Sequence, residues 1–186
     1  MAQTKTLKIL GQSLLTEETR AISTRSLTSN LVTITTSTNH NIELGNAVTV
    51  TGIDSTFNGT WNTYSIPASN QFTYPVTASN VVSSSVNGAS VSYVPPTTVY
   101  TASASTQVLI STISVTNCSE TDGVFFIAAK KAGQTLSKKH YIAWGPGILA
   151  RDNISLTLGI TISDGDSIVA FGSPNIAIGL FGGEIV

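Results

Sequence analysis

FFIAAKKAGQTLSKKHYIAW, residues 125–144, decides the fold class. Two apolar runs, 125–129 and 141–144, flank a polar connection holding Lys130, Lys131, Lys138, Lys139 and His140, with four of the chain's nine Lys and Arg residues among them. The runs are short, aromatic and β-branched, which suits strands rather than helices. Gly133 and the closing Lys-Lys-His place the connection at the surface. The expectation is two strands of one sheet joined by a basic loop.

Working outward, the whole chain agrees with that reading. Its 186 residues are 41% hydrophobic and only 10% charged, against a usual charged share of about 25%. No apolar run approaches the roughly 20 residues of a spanning helix, so a helical membrane protein is not expected. Ser and Thr, about a quarter of the chain, replace the missing charge. Thr and Val fit a pleated surface and Ser fits turns, and no sustained helical period exists. A net charge of −1 gives no global attraction to nucleic acid or to acidic membranes. The N-terminus lacks the apolar core of a signal peptide, and Cys118 is the lone cysteine, so synthesis in a reducing cytoplasm is expected, unless the chain leaves as part of a larger particle. A weakly charged chain without disulfides suits a protein stabilised by neighbours in an assembly.

Along the chain, residues 6–10 alternate as a first strand with its apolar side chains inward, ended by 11–13. Residues 20–26 show little pattern and mark a boundary. From Asn30 short strands follow at regular spacing: 31–36, 47–51, 61–66, 71–74 and 86–94, the last reached through a serine-rich loop. Asn58-Gly59 is a two-residue hairpin signal, and Phe57 and Trp61 flank it at the end of a small core. Pro95-Pro96 closes the segment. Between Ser26 and Ala129 there is no Lys or Arg, so this middle segment differs from both flanks.

Beyond it, 107–117 is the longest strand, apolar on both faces as a central strand is. Pro146-Gly147 punctuates, 154–162 alternates, and Asp164-Gly165 makes a second hairpin turn before 168–171. The first strand has too few companions before residue 20 to build a core, so it pairs with the C-terminal half. The architecture expected is all-β: an antiparallel β-sandwich, jelly-roll or immunoglobulin-like, of residues 1–19 and 97–186, with a small β domain, 20–96, inserted after its first strand.

Chemistry is sparse. Cys118 and His140 have the residue types of a thiol nucleophile and its base, but a strand-end cysteine and a loop histidine explain them more simply. No G-x-S-x-G elbow and no Gly-Lys pair of a phosphate loop is present. Asp152, Asp164 and Asp166 offer carboxylates to a calcium ion, yet turn chemistry accounts for Asp164-Gly165 without one. Neither a catalytic set, a cofactor site nor a metal site is expected. The basic residues, with Phe57 and Trp61, are the candidate interaction surface. Without interleaved exposed aromatics they suit a solvated loop, or a salt-bridged contact with an acidic neighbouring subunit, better than nucleic acid.

The chain resembles a small virion structural domain of tailed bacteriophages of the marine and cyanophage type. The likeness lies in KILGQ at 8–12, VYTA at 99–102, TQVLISTISVTN at 106–117, residues 125–144, LTLGITISDGD at 156–166 and LFGGEI at 180–185. The middle segment, with GNAVTVTGIDSTFNGTW and QFTY, resembles a β-module that recurs in phage particle proteins. The resemblance implies a non-enzymatic virion protein, foremost a capsid decoration or cement protein. It would be a homo-oligomer, most simply a trimer, bound to the major capsid protein or other virion proteins. The alternative is a tail, neck or fibre component whose Trp61, Tyr64, Phe72 and Tyr74 bind host surface glycans. A hydrolase is the remote alternative.

Overall fold

The computed structural model of the chain describes residues 5–185. The first strands are β1 (Lys5–Leu14), β2 (Glu18–Thr28), β3 (Leu31–Thr36), β4 (Ala47–Thr51), β5 (Gly59–Asn62), β6 (Ser65–Ala68), β7 (Gln71–Pro75), β8 (Val81–Ser85) and β9 (Ser90–Tyr93). They are followed by β10 (Thr97–Thr101), β11 (Gln107–Asn117), β12 (Gly123–Lys130), β13 (Tyr141–Ile148), β14 (Asn153–Ser163), β15 (Ser167–Gly172) and β16 (Ile176–Ile185). The protein is all-β and its strand pairs are antiparallel; the described residues contain no α-helix. The chain divides into two compact units. One comprises the described residues up to Leu15 and from Thr97 onward; the other is Thr16–Pro96.

In the first unit eight strands form two four-stranded sheets, β1-β16-β11-β14 and β10-β15-β12-β13. Successive strands alternate between the sheets except at β12 and β13, which is the double Greek key of a jelly roll. Of the two sandwich types the sequence left open, the strand order selects this one. The opening stretch supplies its hairpin: Phe126 pairs with Trp144 and Ala128 with Tyr141, and the Phe126 ring stacks on Phe171 of β15 at 4.6 Å. Val108, Ile110, Ile113 and Val115 of β11 and Ile176, Ile178 and Leu180 of β16 are buried.

Several sequence expectations are corrected here. The first strand does not end at residues 11–13; it runs on to Leu14, with a register shift between Ile9 and Gly11. β13 runs through Pro146-Gly147, because it is an edge strand and needs no donor on its open side. In β11 the buried positions are 108 and 110, then 113, 115 and 117. A bulge at Ser111 turns the strand over, so its two-faced apolar pattern is one buried face that changes phase. Asp164 and Gly165 both take positive φ, as a type I′ turn requires. That turn, however, joins β14 and β15, which lie in different sheets, so it makes no hairpin.

The second unit is one curled sheet in the order β5-β4-β9-β2-β3-β7-β6, with β8 also paired to β2. Its core gathers Leu27, Ile34, Val48, Val50, Phe57, Phe72, Tyr74, Val91 and Tyr93. The patternless stretch at 20–26 is the middle of β2, whose early residues pair with β9 and later ones with β8 while β3 runs along its other side. Of β2 only Ile22 and Leu27 are buried, five residues apart, which is why no alternation shows. The first seam therefore falls at Leu15 and Thr16, ahead of the expected position near residue 20. The serine-rich stretch expected to be a loop is strand β8.

Expected strand 61–66 is broken into β5 and β6, and 86–94 shortens to β9. Asn58-Gly59 forms no two-residue hairpin. Asn58 turns its side chain back to accept the Ile53 amide at 3.0 Å, and β4 and β5 are joined by a longer loop. Two-residue turns in this unit are Ser29-Asn30, both at positive φ, between β2 and β3, and Ser69-Asn70 between β6 and β7.

Candidate interaction surface

The outer face of the β1-β16-β11-β14 sheet is apolar and open around Leu7, Ile9, Leu109 and Phe181. Pairing sets Leu7 beside Gly183 and Gly183 beside Leu109, and sets Ile9 beside Phe181. Leu7 is 88% exposed and Ile9 54%, with Leu109 and Phe181 also exposed. Gly183 carries no side chain, so a hollow opens between the two leucines, lined also by Thr6, Ser111 and Ile185. A second shallow hollow lies beyond Phe181, over Ala177, Gly179 and Ser114. The first strand thus points Leu7 and Ile9 outward, the reverse of the expected orientation. Its opposite side is occupied by polar groups near the sheet end, where Lys8 meets Glu184 at 2.6 Å.

Glu184 belongs to a staple between the sheets. The Tyr100 hydroxyl, from β10, donates to Glu184 Oε1 at 2.6 Å, while Lys8 holds Oε2. The hydrogen bonds from Lys8 and then Tyr100 hold the Glu184 carboxyl below the usual carboxylate range, against the opposing effect of burial. Burial, and then the hydrogen bond to the carboxylate, raises the Tyr100 hydroxyl.

The basic connection is less of a charged patch than its sequence suggests. Lys131 pairs with Asp166 at 3.3 Å, Lys130 is half-buried, and Lys138 and Lys139 are exposed on a 3₁₀ turn. His140 is not a surface loop residue but is buried. Its Nδ1 accepts the Ser137 amide at 3.1 Å, so Nε2–H is left to donate to Gln134 Oε1 at 2.8 Å. The ring ties the loop together, which spacing along the chain does not reveal.

Phe57 and Trp61 are also corrected as surface candidates. Phe57 is fully buried. Trp61 is half-buried, stacked on Tyr74 at 5.2 Å, and donates Nε1–H to the Phe57 carbonyl at 3.1 Å. The Tyr74 hydroxyl donates to the same carbonyl at 2.9 Å. Phe72 and Tyr74 are likewise fully buried, which leaves Tyr64, 65% exposed, as the open aromatic of the four expected to face a glycan.

The remaining candidates do not converge. Cys118 is exposed and lies before the Gly123 end of β12, where its amide donates to the Asn175 carbonyl. His140 lies at the other end of the β12–β13 hairpin, so the two share no proton. Asp166 accepts the amides of Ala132 (3.0 Å) and Ser163 (3.3 Å). Burial favours its neutral form, but these amides and Lys131 outweigh that and lower its pKa. Asp164 accepts the Ser105 amide, and Asp152 that of Asn153. Among the described residues no three His, Cys, Asp or Glu side chains gather as a metal site.

No family model matches the chain, and no curated protein matches it.

Proposed function

We propose that the chain is a non-enzymatic structural protein of a bacteriophage particle, a decoration or cement protein on the capsid exterior. It acts as a homo-oligomer, most simply a trimer, seated on the major capsid protein or other virion proteins. The observation that carries this reading is the outward apolar face of Leu7, Ile9, Leu109 and Phe181, since a soluble monomer rarely leaves a contiguous apolar face to water. The jelly roll, which also serves capsid proteins, supports it by analogy only. So does the sequence resemblance. The mechanism is adhesive: apolar side chains leave water across subunit seams, and many copies attach at once.

Two measurements test this. Purified particles contain the chain, and a particle reconstruction places it on the shell; its absence from them ends the reading. Leu7→Asp, at an exposed position, leaves the melting temperature unchanged but cuts attachment to particles at least tenfold. Equal attachment by this variant removes the apolar face from the mechanism.

A further inference from the structure

An Asn or Asp followed by Gly is open to succinimide chemistry, because a residue without Cβ lets its backbone nitrogen close on the preceding side-chain carbon. The chain has four such pairs: Asn58-Gly59, Asn87-Gly88, Asp122-Gly123 and Asp164-Gly165. Three are held by the fold. The Oδ1 atoms of Asn58, Asp122 and Asp164 accept the amides of Ile53, Ala150 and Ser105 at 3.0, 2.9 and 2.8 Å. Their glycines are engaged as well: Gly59 and Gly123 pair with Val50 and Ile148, and the Gly165 amide donates to the Ala102 carbonyl at 2.9 Å. Asn87-Gly88 differs. Both residues are exposed at the tip of the loop joining β8 to β9. Among the described residues neither the Asn87 side chain nor the Gly88 amide makes a hydrogen bond. A Cβ at Gly88 would meet nothing within 4 Å, so the tip has room to move.

We infer that Asn87 is a self-modifying site, which deamidates through a succinimide while the other three pairs stay intact. The Gly88 nitrogen, its proton taken by hydroxide, attacks the Asn87 Cγ. The new C–N bond forms, the Cγ–Nδ2 bond breaks, and Nδ2 leaves as ammonia with a proton from water. Water then opens the five-membered ring at either carbonyl, which leaves an aspartyl or isoaspartyl residue at position 87. Asn87 gives up no hydrogen bond to reach the attack geometry, whereas Asn58 must release the Ile53 amide. At residues 122 and 164 the reacting group is a carboxylate, a poorer electrophile than an amide. The added carboxylate takes the net charge from −1 to −2 and stands at a hollow lined by Ser23, Ser37, Ser85 and Ser90. The Val86 amide on the Ser23 carbonyl (3.0 Å) and the Ile22 amide on the Ala89 carbonyl (2.9 Å) bracket the tip, so the change stays local. The chemistry needs only this chain and water, and holds whether or not the chain serves a phage particle.

The test incubates the full native chain at mildly alkaline pH and follows both asparagines by mass spectrometry of chymotryptic peptides. Cleavage at aromatic residues from Trp61 to Tyr74 separates the two sites, which trypsin leaves in one peptide because no Lys or Arg lies between them. Position 87 is expected to turn from amide to acid at least tenfold faster than position 58, and to become a substrate for an isoaspartyl methyltransferase. Isoelectric focusing shows the matching acidic species. Asn87→Gln, whose cyclic intermediate would need a six-membered ring, does not form it. In urea Asn58 reacts as fast as Asn87, since its protection belongs to the fold. A position 87 that stays intact overturns the inference, as does equal reaction at 58 and 87 in the native chain. So does isoaspartyl formation at 122 or 164 that keeps pace with 87, or an Asn58 that stays protected in urea.

Discussion

Tyr100 and Glu184 join the two sheets of the jelly roll, hydroxyl to carboxylate at 2.6 Å, with Lys8 on the second carboxylate oxygen. A hydrogen bond to a charged acceptor contributes about 1.5–3 kcal/mol, and Lys8 still serves the carboxylate when the hydroxyl is gone. Tyr100→Phe is therefore expected to lower unfolding free energy by about 1.5 kcal/mol in urea titration. No loss on this substitution means that the staple is not made in solution.

The same carboxyl sets an acid limb of stability. Glu184 is held below its unfolded pKa, so its contribution is complete above the unfolded value, about 4.3, and is lost as pH falls through the lower folded value. Glu184→Gln makes the pH dependence of unfolding shallower in that window. A wild-type and variant difference that is the same at pH 3 and pH 6 rules this out.

His40 acts in the opposite direction from a paired histidine. It is buried against Phe72, its Nδ1 accepts the Ile42 amide at 2.9 Å, and burial foremost lowers its pKa, with Arg20 adding to that and the Gln71 backbone opposing it. Below the unfolded value of about 6.5 the unfolded chain takes up a proton that the folded state resists, so stability falls as pH drops from there toward the folded pKa. NMR titration of the His40 ring is expected to give a midpoint below that of a histidine in the unfolded chain. A midpoint at or above it contradicts the sign.

Phe57 and Tyr64 should part company under mutation. Phe57→Ala empties the centre of the second unit, and a buried Phe→Ala costs about 3–5 kcal/mol. Tyr64→Ala, at an open position, changes stability by less than about 0.5 kcal/mol. Thermal melts of both variants check this, and similar losses would mean that Phe57 is not the core residue its burial indicates.

Gly182 is a point of close approach. A Cβ there would lie 1.9 Å from the Leu109 carbonyl oxygen, so β16 and β11 would have to separate. Gly182→Ala is expected to cost about 3 kcal/mol, at the upper end for overpacking. Gly147→Ala, where the nearest atom is the Gly123 oxygen at 4.0 Å, costs little. Equal melting temperatures for the two variants refute the argument.

The residues themselves determined the all-β class and the hairpin of 125–144, because β-branched and aromatic runs of period two admit few other solutions. Most strands of the two units were legible for the same reason. What they did not determine is which side of a strand faces water. Leu7 and Ile9 have the pattern of inward residues, yet they point outward. A bulge at Leu10, beside those at Ser111 and Leu158-Gly159, changes the phase across the sheet, and a bulge has no reliable local signature. The burial of Phe57 was equally a matter of long-range packing, since its core is drawn from strands distant in the chain, whereas His140 is held within its own loop by Ser137 and Gln134, in a fold that spacing along the chain does not reveal.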